Sequence, residues 1–492
     1  MKFQVFANGQ PVEKFRIFGA SMFGTDGASL RRTKITFSDG IIECQKPNSD
    51  TAGLALLWHV EGFGRVLLAT TCLPERDAPY CLNVEVLRAR LMQTIDRRQE
   101  WSLFEGAAEL EEVSKQAHDL FVKAIQNIGE PAKASLLADN AMRRAMIFSE
   151  KLAVCQAESL FKIRREAEGF GKTCLGVSVN PAMVSNDTYV DRLSQLARFA
   201  YVPMRWADIE KSDGVCDFSE LDKCIDVLSE RNLLLGAGPL LCFSKEALPA
   251  WLLEGRAGFE KIRELAYRFI TEVVSRYRRQ ITHWFVISGL NAANHFGFTV
   301  EQVLEMTRAA TLAAKTAHAK AFRLVEVIDP WGEHCATTSN CIGPVAYMDM
   351  VLQSGIAFEA FALRLAFGKN ERGMHIRDMM QISTRLDHFS LMGKALYVTG
   401  VEIPSAHGEG DFDGRLAGVW HKAWDAKRQA LWLDQFYTLS LSKPSVESVV
   451  YGNLVDHDQS VIANSGLVQQ DYEPKEGYRV LRRLSELVQS KS

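Results

Sequence analysis

From residue 173 onward the sequence repeats one alternation eight times, a short apolar run followed in most cases by an amphipathic stretch. The runs are Cys174 to Val179, Tyr201 to Trp206, Leu233 to Leu241, Thr282 to Ile287, Arg323 to Ile328, Ala357 to Leu363, Ala395 to Val401 and Val446 to Asn453. Between and after them, Phe218 to Arg231, Phe259 to Tyr277, Val300 to His318, Arg377 to Leu391, Asp425 to Leu441 and Pro474 to Val488 space their apolar residues as a helix does. Eight strand-helix units in sequence specify a closed (β/α)8 TIM barrel, with functional groups on the loops that follow each strand. A doubly wound open sheet is the competing arrangement, but no GxGxxG follows a strand.

The first part of the chain has a different texture. Phe3 to Ala7, Lys34 to Phe37, Ile41 to Cys44, Ala52 to Val60, Arg65 to Cys72 and Leu82 to Val86 are short apolar or alternating runs, with Asp39-Gly40 as a hairpin signal between two of them. They imply a β-sandwich-like domain over residues 1–88. Helical periodicity then takes over in Glu109 to Asn127 and Pro131 to Glu168, giving a helical connector over 89–172 before a barrel domain over 173–492. Such a connector is expected to pack against its own chain, the alternative being a surface for a homo-oligomer.

Charge and cysteine usage narrow the function. With 57 basic and 60 acidic side chains the formal net charge is −3, which argues against nucleic acid as a partner. No apolar stretch approaches the roughly 20 residues a membrane helix needs, and the N-terminal residues lack a secretory run, so a cytoplasmic location without membrane association is expected. The ten cysteines are scattered without CxxC pairs, so reduced thiols are expected, with no cofactor, no metal and no disulfide framework. The run His407-Gly-Glu-Gly-Asp411-Phe-Asp413 has no recognised metal-ligand spacing and reads as a charged lid.

Pro203-Met-Arg-Trp-Ala-Asp-Ile-Glu210, Gly214, Phe218, Leu221-Asp222, Gly238-Pro-Leu-Leu-Cys-Phe243 and Leu248-Pro-Ala-Trp-Leu252 resemble the second and third strand-helix units of family 10 glycoside hydrolases. Gln429-Ala-Leu-Trp-Leu433, Ser442-Lys-Pro-Ser-Val446, Asp456-His457 and Ser465-Gly-Leu-Val-Gln-Gln-Asp471 resemble the end of the same fold. The resemblance covers about residues 173 to 488. It implies a xylanase-like protein acting on β-1,4-linked chains with retention of configuration, and a β-domain resembling a carbohydrate-binding module. Retention needs two carboxyl groups about 5–5.5 Å apart, one a nucleophile and one an acid/base. The resemblance places these at the ends of strands four and seven, where this chain has Gly289, preceded by Ser288, and Gly400. Other sugar-binding positions also differ: Tyr201-Val202, Arg205, Pro239 and Arg364 stand where the family has glutamate-asparagine, lysine, histidine and glutamine.

Candidate replacements follow from strand geometry. Residues two apart on a strand share a face, so Glu402 points as Gly400 does, and Glu333, after the fifth strand, is a candidate partner for a relocated catalytic pair. Arg205, Trp206, Asn291, His295, Trp331, His334, Arg364 and His407 fall near strand ends or the following loops and are candidate substrate-binding residues, indole faces suiting sugar rings. Solvated polar loop residues and core tryptophans are the plainer account of the same set. Three functions are open at this point: a carbohydrate-binding pseudoenzyme, a glycosidase with Glu402 and Glu333 as a relocated pair, and a structural scaffold.

Overall fold

The computed structural model describes residues 1–101, 107–338, 340–408, 414–457 and 460–489. Eight parallel strands form a ring: Leu175–Ser178, Phe199–Pro203, Leu234–Gly238, Ile281–Ser288, Phe322–Val327, Ala360–Ala366, Ala395–Glu402 and Val446–Tyr451. They are called here the first to eighth barrel strands. Each pairs with its neighbour in chain order, and pairing of Leu175 with Val449 joins the first to the eighth. The ring is therefore closed, which excludes the open sheet and leaves no exposed barrel edge. The helices run close to the sequence expectation, among them Ser219–Glu230, Phe259–Tyr277, Val300–Ala317, Met379–Ser390, Ala426–Ser442 and Glu476–Gln489.

Inside the ring, large and small residues alternate. Phe199, Tyr201, Phe285, Leu324 and Tyr397 pack with Ala360, Ala362 and Val450. Gly176 and Gly236 make room for the Phe199 ring, since a Cβ on either would stand 2.7 or 2.5 Å from it. A ring of this size is filled by its own side chains, so only the strand ends and loops are left to meet a ligand.

The N-terminal region builds two four-stranded sheets. One orders the strands 34–38, 41–45, 2–4 and 80–81, with Asp39 and Gly40 both at positive φ (49° and 77°) in the two-residue turn the sequence signalled. The other orders 419–420, 64–69, 53–60 and 21–23. Its first strand, Val419–Trp420, belongs to the long connection after the seventh barrel strand, so the barrel and the N-terminal region share a sheet. Gly64 permits the contact: at φ 79° its missing Cβ would lie 2.2 Å from the Val419 carbonyl oxygen.

Leu82 to Val86, read above as a strand, is the first turn of helix α1 (Leu82–Glu100). Leu-Asn-Val-Glu-Val alternates apolar and polar residues as a half-buried strand does, yet every residue from Leu82 to Leu87 is buried, Asn83 and Glu85 included, and five residues are too few to separate strand from helix. Helices α2 (Ala107–Gln126) and α3 (Pro131–Glu166) follow, α3 lying against the barrel helix Ala426–Ser442. From α3, Arg164 donates to the carbonyls of Leu441, Lys443 and Val446 at 2.8, 2.8 and 2.9 Å. It thereby ties the end of that helix, where the last carbonyls lack intrahelical partners, to the start of the eighth barrel strand.

The cysteines depart from expectation at one pair, because Cys335 and Cys341 are disulfide-bonded. Their Cα atoms stand 5.6 Å apart, within bridging reach. A five-residue spacing in a loop carries no sequence signal for that approach. The other eight cysteines are free. Among the described residues no helix is long and apolar enough to cross a membrane.

Candidate functional site

The loops after the barrel strands enclose a cleft of about 890 Å3. Its floor is organised by Glu326, the one acidic residue of the fifth strand, 1% exposed. A buried carboxylate must be paired and hydrogen-bonded to persist. Three strands supply the partners: Ser288 on the fourth donates to one carboxylate oxygen, Arg364 on the sixth donates to the same oxygen at 2.9 Å, and Thr399 on the seventh donates to the other at 2.5 Å. The Arg364 side chain remains 43% exposed to the cleft. The Glu326 carboxylate holds the Arg364 guanidinium above its usual range, burial opposing. One contact to Glu326 leaves Arg364 with N–H donors to spare, since a guanidinium has five.

Gly400 gives Arg364 its space: a Cβ there would stand 3.1 Å from the arginine Cγ. Gly400 and Gly289 both adopt left-handed backbone, φ 58° and 68°. At Gly289 a Cβ would also press on the Ile328 side chain at 2.8 Å. Neither position holds a glutamate without strain.

Two further groups face the cleft. Tyr201, on the second strand, sits edge-on to Phe285 at 4.8 Å, and its buried hydroxyl has no hydrogen-bond partner. Burial, with the Glu326 charge adding to it, pushes that hydroxyl far above its ordinary pKa, so it remains a neutral donor. Glu402 ends the seventh strand, 7% exposed, accepting from the Ser465 hydroxyl at 2.7 Å and the Ile462 amide at 3.4 Å. Burial raises its carboxyl pKa despite those bonds and Arg364. Gly452 clears the approach, because a Cβ there would lie 2.7 Å from Glu402 Oε1.

Of the ten candidates named from sequence, Glu402, Arg205 and Arg364 line this cleft. Arg205 sits at the rim, bonded through Nε to Asp208 at 2.6 Å. The other seven lie elsewhere. Trp206 is buried against Phe269 and donates its indole N–H to Glu210 at 2.6 Å. Asn291 ties the loop after the fourth strand to the backbone of Ile328, and His295 is exposed on that loop. His407 accepts from the Trp424 amide at 3.3 Å. Asp411 and Asp413, from the same run, lie outside the described residues.

Trp331, Glu333 and His334 form a separate cluster in the loop after the fifth strand. The Arg377 guanidinium lies 3.8 Å above the Trp331 ring and donates to Glu333, which also accepts from the Gly373 amide at 2.7 Å. His334 Nδ1 lies 2.5 Å from Asp329. Glu333 is thus committed to an arginine away from the cleft, whereas Glu326 lines the cleft with Glu402. Sequence reasoning passed over Glu326, Tyr201 and Thr399 as site residues. The available signal was an acid in the interior of a buried apolar strand, which demands partners whatever its function.

With the geometry in place, comparison with known proteins adds one point. The Glycosyl hydrolase family 10 model matches residues 174–307, the first four barrel strands and the start of the helix after them. The barrel is family 10-like. Among solved structures, native xylanase 10B from Thermotoga maritima aligns with TM-score 0.50 and 16% identity over 66% of this chain and 97% of that one. Xylanase 10B from Thermotoga petrophila RKU-1, determined with xylobiose, aligns with TM-score 0.50 and 16% identity over 66% of this chain and 96% of that one. At such identity the likeness is one of fold. The family 10-like barrel accounts for the cleft's position at the strand ends.

Proposed function

We propose that the cleft binds β-linked oligosaccharide of the xylan type and does not carry out ordinary retaining hydrolysis. The observation that carries this reading is the Tyr201 hydroxyl, buried on the cleft floor with no protein partner. A buried polar group left unsatisfied is costly, and a ligand or water hydroxyl relieves it. Arg364 offers further donors beside it, a pattern suited to a polyhydroxylated, uncharged ligand. Glycines 289 and 400, at the positions the family resemblance assigns to the catalytic glutamates, supply neither nucleophile nor acid. Glu326 is already engaged by three donors.

Isothermal titration calorimetry with xylo-, cello- and manno-oligosaccharides, with product analysis of the same samples, tests the reading. Binding heat without new reducing ends is expected. Tyr201→Phe is expected to weaken binding about fivefold to thirtyfold, as loss of one buried hydrogen bond of roughly 1–2 kcal/mol does, while leaving thermal stability unchanged or slightly higher. Absence of heat across the whole panel sinks the proposal and favours a scaffold role.

One observation favours a second reading, hydrolysis by a relocated pair. Glu402 lies in the cleft with a raised pKa, as a general acid requires, and Glu326 takes the place that sequence reasoning gave to Glu333. Reducing ends released by the wild type and lost in Glu402→Gln would establish it.

A further inference from the structure

Outside the cleft, three donor atoms of metal-binding type converge in the loop after the fifth barrel strand. His334 Nε2, Cys335 Sγ and Cys341 Sγ all lie within 4.8 Å of one another, and both cysteines are buried. We propose that this cluster, when its disulfide is reduced, is a binding site for a soft divalent cation of the zinc type.

Four features of the site support that assignment. The donor set is one imidazole and two thiolates, which matches the ligand preference of Zn2+ and is poor for Mg2+ or Ca2+. The histidine is oriented for it: Asp329 Oδ2 lies 2.5 Å from Nδ1 and also accepts the His334 amide at 2.8 Å. The carboxylate fixes the ring proton on Nδ1, so the lone pair of Nε2 is turned to the sulfurs, the arrangement in which a second group positions a metal-binding histidine. The Nε2 to Cys335 Sγ separation is 3.7 Å. A tetrahedral zinc ion, with bonds of about 2.3 Å to sulfur and about 2.0 Å to nitrogen, spaces such atoms roughly 3.6 Å apart. Finally, two thiolates balance the dication. Arg31 holds the loop at Cys341, its Nη2 donating to the Cys341 carbonyl at 2.7 Å and lying 3.5 Å from its sulfur.

The bonded and metal-bound states exclude each other, because the same two sulfurs serve both. Conversion requires a thiol reductant such as a glutathione-type monothiol. Two reductant thiols pass two electrons to the bond, leave as their own disulfide, and deliver two protons to Cys335 and Cys341. Both protons are then released as the metal binds. Reoxidation would eject the ion. Arg31 comes from the N-terminal region, and the strand Ser21–Phe23 packs beside the short helix Glu333–Ala336. The metal would therefore sit where that region meets the barrel.

The full-length chain, reduced with a phosphine and freed of metal, is titrated with Co2+ as a spectroscopic stand-in for Zn2+. One equivalent should produce thiolate-to-cobalt charge-transfer absorption with tetrahedral d–d bands, which Zn2+ then bleaches. Diamide-oxidised protein should show neither. Cys335→Ser/Cys341→Ser should abolish the charge transfer, and Asp329→Asn should weaken Zn2+ binding about tenfold to a hundredfold. Circular dichroism confirms that each variant is folded, and the oxidised and reduced wild type give the comparison without any substitution. The proposal is overturned by absence of the band in reduced protein, by its persistence in the double serine variant among the eight other cysteines, or by thiol titration showing that the 335–341 bond resists reduction in the folded chain.

Discussion

Glu333→Gln is expected to lower the unfolding free energy by about 3–5 kcal/mol, the range for stranding a buried charge, and to leave oligosaccharide binding unchanged. The carboxylate is 7% exposed and its partner Arg377 4% exposed, so solvent does little to screen the loss. Arg377 stacks on Trp331, and Arg385 approaches the same ring at 5.2 Å. Burial, with Arg377 repulsion added, brings the Arg385 guanidinium down to about 10. The buried Arg377 and the half-buried Arg385 thus depend on Glu333 and Asp329 for counter-charge. The glutamine keeps the shape and an acceptor for the Gly373 amide while removing the charge. Urea denaturation gives the stability, and calorimetry the binding. A variant of wild-type stability that no longer binds sugar would return Glu333 to the functional site.

The pH dependence has a definite sign at each carboxylate. Burial works against ionisation of Glu333, but Arg377, His375 and the Gly373 amide outweigh it and hold the folded carboxyl well below the ordinary value of 4.5. Its contribution is therefore present above that value and lost as pH falls through the depressed one. The deficit of Glu333→Gln should shrink on acidification below about pH 4.5. Glu402 behaves oppositely: burial raises its pKa, so its contribution is full below the ordinary value and is lost as pH rises through the folded one. Glu402→Gln should consequently stabilise the chain at neutral pH and not at acid pH.

The barrel was legible because its signal is periodic and repeated. All eight runs became strands, and Phe259–Tyr277 became a helix with the expected ends. Leu82 to Val86 was not legible, since its polar residues Asn83 and Glu85 alternate with apolar ones as in a strand although all are buried in the first turns of a helix. The site divided along a similar line. Glu402 was found because residues two apart on a strand share a face and Gly400 marks the position the family resemblance assigns, and Arg364 because the same resemblance places it at a sugar-binding position. Glu333 looked equivalent to Glu402 from its place after a strand. Its actual partner, Arg377, is 44 residues away in sequence, and no local pattern encodes such a pairing. Glu326 is the converse case: it lies within a strand, whereas the functional groups of such a barrel are expected on the loops after each strand. The addition of Val419–Trp420 to the N-terminal sheet rests on a backbone approach at Gly64, which a single glycine in a sequence does not announce.

Asp378→Ala is expected to cost about 3–5 kcal/mol for the arginine it strands and about 1 kcal/mol more for a lost helix cap. Asp378 meets Arg90 of α1 in a two-pronged pair at 3.2 and 2.5 Å, both side chains 3% exposed or less. Its Oδ1 also accepts the Gln381 amide, and Gln381 answers at the Asp378 amide, closing the capping box of the helix Met379–Ser390. One carboxylate therefore starts the helix after the sixth strand, the strand that carries Arg364, and anchors the connector to it. Arg90→Met alone should cost nearly as much, because it leaves Asp378 buried and unpaired. Arg90→Met combined with Asp378→Asn should recover most of that loss, since a buried pair replaced on both sides is close to neutral while asparagine still caps. The double-mutant cycle in urea measures the coupling directly. A coupling near zero, with each single variant close to wild type, would mean that α1 is held by its apolar face alone and that the pair adds nothing to the union of connector and barrel.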